Sequence, residues 1–397
     1  MREKILRFFE YLILGDLSLF IVLAPYSSLY SKVFIYSSAF LWIIFCVFSY
    51  RLRFYRHLIA PNILNKDFRL FFLVLLIATR FSLDYYHSQG IFFSRYLGFT
   101  LAFLLGSAMA QHRHRVYVLV GAIIFASIII GIGGLWDHWH LSADERLYTS
   151  FGYDVNLSAL LALYFPFICL LILFAKKHFF KWGSLINAII LYPCFVANMS
   201  RVVLYAVPAS IVVSCYTQKK RLAFLLTIVT IISFYFYSPF LKARIAETFK
   251  QDIRVYRSGV ALGIFEDFPV IGAGLGMFEK LRSIYDVDSN REYIHSENTF
   301  TELLSETGFL GLTVFLWLLA VFFKNAFTLL KQIKDPNQLA IHLGLTAAMI
   351  SALTVSFATN SIMVGFQNAV IFWLIFGLAS GMVTQVQKVP SDTNENV

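Results

Sequence analysis

Apolar runs of about 18 to 22 residues recur along the chain, each long enough to carry an α-helix across the ~30 Å hydrocarbon core of a bilayer. Lipid cannot satisfy a bare peptide group, so runs of this kind span as helices. Composition agrees. Of 397 residues, 58% are hydrophobic and 14% charged, with a mean hydropathy of +0.69; a soluble domain carries about a quarter charged residues. The 42 Phe and 21 Tyr suit lipid-facing surfaces and interfacial belts. The expected fold class is an all-α polytopic membrane protein.

About twelve spans are expected, near residues 11–30, 33–50, 68–84, 91–110, 115–136, 155–175, 182–199, 201–217, 221–240, 308–330, 339–361 and 366–386. The first run lacks a small-residue cleavage site and reads as a retained span. Alternate connections are basic: Arg2, Lys4 and Arg7; Arg51, Arg53, Arg56, Lys66 and Arg69; Arg113 and Arg115; Lys176, Lys177 and Lys181; Lys219, Lys220 and Arg221; Lys324, Lys331 and Lys334. The positive-inside rule places that side, and both termini, in the cytoplasm. The chain then divides into nine spans over residues 1–240, a large external loop over 241–307, three spans over 308–388, and a polar tail over 389–397 that reads as disordered. No internal repeat is evident.

Several function classes drop out. Cys46, Cys169, Cys194 and Cys215 all fall in apolar runs, with neither metal spacing nor a disulfide framework. No Walker loop or dinucleotide fingerprint is present. The net charge of +10 does not point to nucleic acid, because the basic residues lie between spans. No cofactor and no metal are expected.

The informative cations break the inside rule. Arg80, Arg95, Arg146, Arg201, Arg254 and Arg257 map to the outer ends of spans or to outer loops. Arginine near membrane depth is costly and needs a partner. Snorkelling, or pairing with Asp84, Asp144 or Asp154, is one account of them. The other is a shared anionic ligand. Several guanidiniums on one face suit planar, multidentate acceptors, above all a lipid phosphate or pyrophosphate.

In the loop, "VALGIFEDF" has helical spacing of apolar residues. "PVIGAGLGMF" follows, with glycines at alternate positions; without a preceding strand or an apparent following amphipathic helix, it reads as a tight re-entrant turn rather than a dinucleotide loop. Then comes "YIHSENTFTELLSETGFLGL", residues 293–312. Helical spacing from Asn298 puts Glu302 one turn on and Glu306 two turns on, a polar stripe leading into a span. His295 sits just before it and is the side chain best tuned to take a proton near neutral pH. A solvated loop histidine and an acidic bias at a helix start are the plainer alternatives.

Together these segments resemble the O-antigen ligase and polymerase family of bacterial envelope glycan synthesis. "RLYTSFGYDVNLSALLAL" is similar to its Arg, Gly and Asn segment (Arg146, Gly152, Asn156). "NMSRVVLYA" is similar to its Ser-Arg motif (Ser200, Arg201). The Arg…Pro-x-x-Gly-x-Gly-x-x-x-Phe segment corresponds to Arg254, Pro269, Gly272, Gly274 and Phe278. "HSENTFTELLSETGFLGL" is similar to the family's His-Asn-x-x-Leu…Glu-x-Gly-x-x-Gly signature.

The resemblance implies a metal-independent, inverting glycosyltransferase of the multi-span C type, placed in the bacterial inner membrane among its lipids, with a periplasmic active site. The donor is a glycan on undecaprenyl pyrophosphate and the acceptor the lipid A–core oligosaccharide. Arg201 and Arg254 would hold the pyrophosphate, with Arg146, Arg257, Asn298 and Glu302 as further binding residues. The family places His directly before Asn. Here that position is Glu297, so the general base is His295, reaching from two residues earlier, or Glu297 itself. A repeat-unit polymerase of the same family is an alternative. So, from another class, is a transporter of anionic lipids, which would be expected to show repeat symmetry or paired broken helices. Chemically, a pyrophosphate leaving group needs positive charge and the acceptor hydroxyl needs a base, so arginines plus one base suffice.

Overall fold

The computed structural model describes residues 2–51, 64–140, 154–198, 200–219, 221–222, 225, 228, 253–286 and 294–387. Over these residues the chain is helical, with no strand among them. Helices α1 (Arg2–Leu23) and α2 (Ser28–Arg51) form a hairpin. Helix α3 (Asn65–Arg80) is followed by α4 (Tyr85–Ile91), which passes through a π-helical turn (Phe92–Tyr96) into α5 (Leu97–Met109). Then come α6 (Arg113–Trp139), α7 (Asp154–Phe174), α8 (His178–Ala197) and α9 (Arg201–Tyr216). Two shorter helices, α10 (Ile253–Asp267) and α11 (Met277–Tyr285), precede α12 (Thr299–Leu329), α13 (Pro336–Val355) and α14 (Phe366–Gln387).

The protein is an all-α polytopic membrane protein. Among the described residues, eight helices are long and apolar enough to cross a membrane, and Val202–Tyr216 is a shorter apolar helix. The count of twelve is therefore not reached among them; most of the expected ninth span, 221–240, and the tail lie outside the described residues. The tenth span begins earlier than expected. Glu302 and Glu306 depress the hydropathy before residue 308, yet α12 starts at Thr299 because the Asn298 side chain caps it, accepting from Phe300 N and Thr301 N. A second difference lies in the glycine-rich segment. A helix, α11, does follow it, although no strand precedes it.

The bundle is held by close backbone approach and by aromatic packing. Gly106 on α5 and Gly377 on α14 are so close to the opposing chain that a Cβ there would lie 2.2 Å from Leu374 O and 2.1 Å from Phe103 O. Small residues are how membrane helices, lacking a hydrophobic drive between them, gain van der Waals contact. Trp373 fills the centre. It is fully buried, donates Nε1–H to Ile362 O at 3.1 Å, and packs against Phe68, Phe71, Phe99, Phe103 and Phe315.

Four of the basic connections converge at one end. Arg113 reaches Asp335 (3.4 Å) and Gln338 (3.1 Å), the backbone N–H groups of Lys176 and Lys177 donate to Asn337 Oδ1, and Gln218 donates to Leu330 O. Asn298, at the start of α12, lies a helix length away from these contacts near its end. The connections 81–88, 268–277, 294–298 and 356–361 gather around that start and build the candidate site.

Candidate functional site

Asn298 fixes the start of α12, and the connection after α13 anchors it. Thr299 N donates to Ser356 O (2.9 Å) and Thr299 Oγ1 to Thr359 O (2.9 Å). One turn along, Glu302 is 5% exposed. Burying a carboxylate without partners is prohibitive, and this one is well supplied. Oε1 pairs with His295 Nδ1 at 2.9 Å; Oε2 accepts from Ser296 N at 2.8 Å and from Asn360 Nδ2. The chain before the helix folds back through a short turn in which Ser296 Oγ donates to Asn298 O, and this brings His295 onto a residue seven positions later.

A carboxylate at Nδ1 sets the proton on that nitrogen in the neutral ring, leaving the Nε2 lone pair as acceptor. The side chain is 24% exposed, so it is held from one side and reachable from the other. A ring oriented in this way can take a proton from a hydroxyl.

Glu297 stands apart. It is the one non-glycine residue with positive φ (+58°) among the described residues. Its Oε2 lies 3.2 Å from Arg254 Nε, and its Oε1 pairs with Arg257 Nη1. Arg254 and Arg257 are three apart in the first turns of α10 and so share a face.

The glycine segment is a tight turn, gripped on two sides. Against α12, Ala273 N donates to Ser305 O (2.9 Å) and Gly274 N to Glu306 O (3.0 Å); Phe309 N donates to Pro269 O (2.8 Å) and Leu310 N to Val270 O (3.2 Å). These bonds reach carbonyls and N–H groups that α12 releases where it breaks at Gly308 (φ 64°, ψ −169°), a conformation open essentially to glycine alone. Gly272 (φ +72°) meets the break so closely that a Cβ would lie 2.3 Å from Glu306 C. On the other side, Leu83 N donates to Ala273 O, Ser88 Oγ donates to Leu275 O (2.7 Å), and His87 Nε2 bonds Gly276 O (3.2 Å). The backbone N–H groups of Gly276 and Phe278 face the buried Glu306 carboxyl group, with Arg95 nearby.

Helices α10 and α11 close over their own small core of Val260, Ala261, Ile264, Met277 and Phe278. Tyr256 donates to Asp286 and Tyr285 to Asp267 across it; the Asp267 carboxylate at its hydroxyl pushes Tyr285 up to about 12. Lys280 reaches Asp84 at 2.6 Å, and this ammonium, with His87 N–H, holds the Asp84 carboxyl below its ordinary range.

The structure thus brings together His295, Glu297, Asn298, Glu302, Arg254 and Arg257. Asn298 spends its side-chain oxygen on the helix, and Glu302 spends its carboxylate on His295, Ser296 and Asn360. Arg146 lies outside the described residues, as does the Arg201 side chain; the Arg201 backbone opens α9, beside Asn198, whose Oδ1 accepts from Ser158 on α7. Arg80 does not pair with Asp84, which takes Lys280; it stacks over Tyr85, 5.7 Å from the ring centre. Sequence reasoning missed Asn360, Ser82, His87 and Ser88. Local pattern could not have found Asn360, which acts 58 residues from its partner.

A helical membrane bundle carrying a carboxylate-held histidine beside an arginine pair defines a polytopic membrane protein with the elements for acid–base chemistry on an anionic substrate. Residues 156–316 match the family model described as O-Antigen ligase. The segment belongs to that family, and the resemblance read from the sequence holds across it, with Arg146 and Gly152 lying before its start. No curated protein matches the chain. The match supports function of the O-antigen ligase or polymerase type in general, and with it a glycosyltransferase-like enzyme acting on lipid-linked polysaccharide.

Proposed function

We propose that the protein is an O-antigen ligase-like glycosyltransferase that moves a glycan from undecaprenyl pyrophosphate to the lipid A–core oligosaccharide. The observation that carries this reading is the hydrogen bond of His295 to the buried Glu302, 2.9 Å long, beside the Arg254–Arg257 pair. His295 takes the proton of the acceptor hydroxyl through Nε2. Glu302 orients the ring and stabilises the imidazolium that forms, and Asn360 and Ser296 N in turn orient Glu302. The acceptor oxygen attacks the anomeric carbon from the face opposite the departing pyrophosphate, so configuration inverts. The arginines, Arg201 with them, stabilise charge on the departing oxygen. No step requires a metal.

Glu297 is the weaker candidate for the base, because both of its oxygens already face guanidinium groups. In this reading the fold is of the multi-span C type. The alternating basic connections put both termini in the cytoplasm and the His295 end at the periplasmic face of the inner membrane. The periplasmic segment, expected over residues 241–307, then ends where α12 begins at Thr299.

The test is reconstitution. Purified protein in proteoliposomes receives lipid-pyrophosphate-linked glycan with and without lipid A–core. Glycan transferred to the core oligosaccharide supports the ligase. Longer lipid-linked chains formed without acceptor would assign the protein to repeat-unit polymerisation instead. Lipid movement across the bilayer without transfer would refute both.

A further inference from the structure

We infer that Glu297 is an internal competitor for the Arg254–Arg257 pair, displaced by a diphosphate headgroup but not by the single phosphate of ordinary anionic phospholipids. The inference rests on the proposed role of these arginines and deepens it to a rule of substrate selection.

A membrane enzyme that reads phosphate with arginine faces a selectivity problem. Its substrate is dilute, and the surrounding bilayer is crowded with phosphodiester headgroups that offer the same acceptor oxygens. A guanidinium pair reachable from the bilayer surface would be occupied by bulk lipid. Glu297 supplies a fixed alternative. Its carboxylate presents two oxygens, one to each arginine, as a phosphoryl group would. Held on the protein, it acts at a high effective concentration. A singly charged headgroup gains little by replacing it. A diphosphate brings more negative charge and enough oxygens to serve both guanidiniums at once.

Three features fit a displaceable contact rather than a permanent brace. The first is exposure. Glu297 is 38% exposed and Arg254 40%, so an incoming anion can reach the pair, while Arg257, at 13%, forms its fixed inner wall. The second is conformation. Glu297 holds its backbone at φ +58°, where a side chain is disfavoured, and its neighbours keep it there: Ser296 N is tied to Glu302, and Asn298 caps α12. Displacement therefore needs only a rotamer change, leaving His295 undisturbed. The third is contrast with Glu302, which is buried, accepts three hydrogen bonds and has no such freedom.

The same competition assists turnover. After transfer, the leaving diphosphate occupies the pair, and the returning carboxylate favours its release.

The test uses full-length protein in nanodiscs, with a short-chain polyprenyl diphosphate as probe. Glu297→Gln keeps size and shape but removes the charge. In neutral-lipid discs this variant is expected to bind the probe about 10-fold more tightly than wild type. In discs rich in phosphatidylglycerol that gain should vanish, because bulk lipid now occupies the arginines, while wild type changes little. A merely structural Glu297 would give weaker or unchanged binding in neutral discs, and either result overturns the inference. Arg254→Ala and Arg257→Ala separate the two levels. If they weaken binding while Glu297→Gln leaves it unaltered, selection by Glu297 is wrong and the arginine site stands. If they leave binding intact, the site reading fails and the inference with it.

Discussion

Replacing Gly308 by alanine tests whether the break in α12 is what docks the glycine turn at the site. Gly308 sits at φ 64° and ψ −169°. Holding a residue with a side chain there costs about 1–3 kcal/mol. The added Cβ would also lie 2.4 Å from both C and O of Val270, backbone atoms that cannot rotate away. Moving Val270 endangers the two flanking bonds, Phe309 N to Pro269 O and Leu310 N to Val270 O, at about 0.5–1.5 kcal/mol each. The sum is a loss of about 2–6 kcal/mol. Gly259 on α10 is the control, since a Cβ there meets nothing within 4 Å, and Gly→Ala inside a helix stabilises by about 0.5–1 kcal/mol. Thermal unfolding in detergent and initial transfer rates would be measured for both. Gly308→Ala should lower Tm by several degrees and cut the rate at least about 10-fold as the turn shifts against Glu306. Gly259→Ala should hold or raise Tm at full rate. Indistinguishable variants would refute the docking argument.

Glu302→Gln should lower kcat by about 10²–10⁴ with little change in donor KM, because an amide N–H facing Nδ1 drives the ring proton to Nε2 and removes the acceptor; steady-state kinetics check it. Arg254→Ala should reduce kcat/KM for the donor by about 10²–10³, measured over a donor titration, and an unchanged value would remove Arg254 from the site. For Asp84→Asn the prediction concerns pH. The folded-state carboxyl lies below its ordinary value because of the Lys280 ammonium and then His87 N–H, so its stabilisation is present above the ordinary carboxylate pKa of about 3.9 and disappears as pH falls through the lower folded value. Wild type should therefore have the higher Tm at pH 7, and the two curves should merge in strong acid; a constant gap would contradict the assignment.

Hydropathy made the spans legible, since a continuous run such as Leu157–Phe174 has few other places to go. It placed the start of α12 late, because its first two turns carry buried carboxyl groups whose partners come from elsewhere. The stripe of Asn298, Glu302 and Glu306 was legible as helical spacing, but its use was not. Spacing cannot say that a turn at Ser296 brings His295 back onto Glu302, or that Asn360 arrives from the connection after α13. The glycines announced a tight turn; what they pack against is set by a helix break that local pattern reads as ordinary small-residue packing. Arg254 and Arg257 were recognisable as cations on the outer side, but not as the two that reach Glu297, the residue weighed as a rival base.

The most direct test of the account compares wild type with His295→Ala in one set of proteoliposomes, measuring donor binding and the rate of glycan transfer together. The account predicts that binding survives, because the arginines are intact, while the rate falls by about 10²–10⁴. Transfer by His295→Ala at the wild-type rate would contradict it.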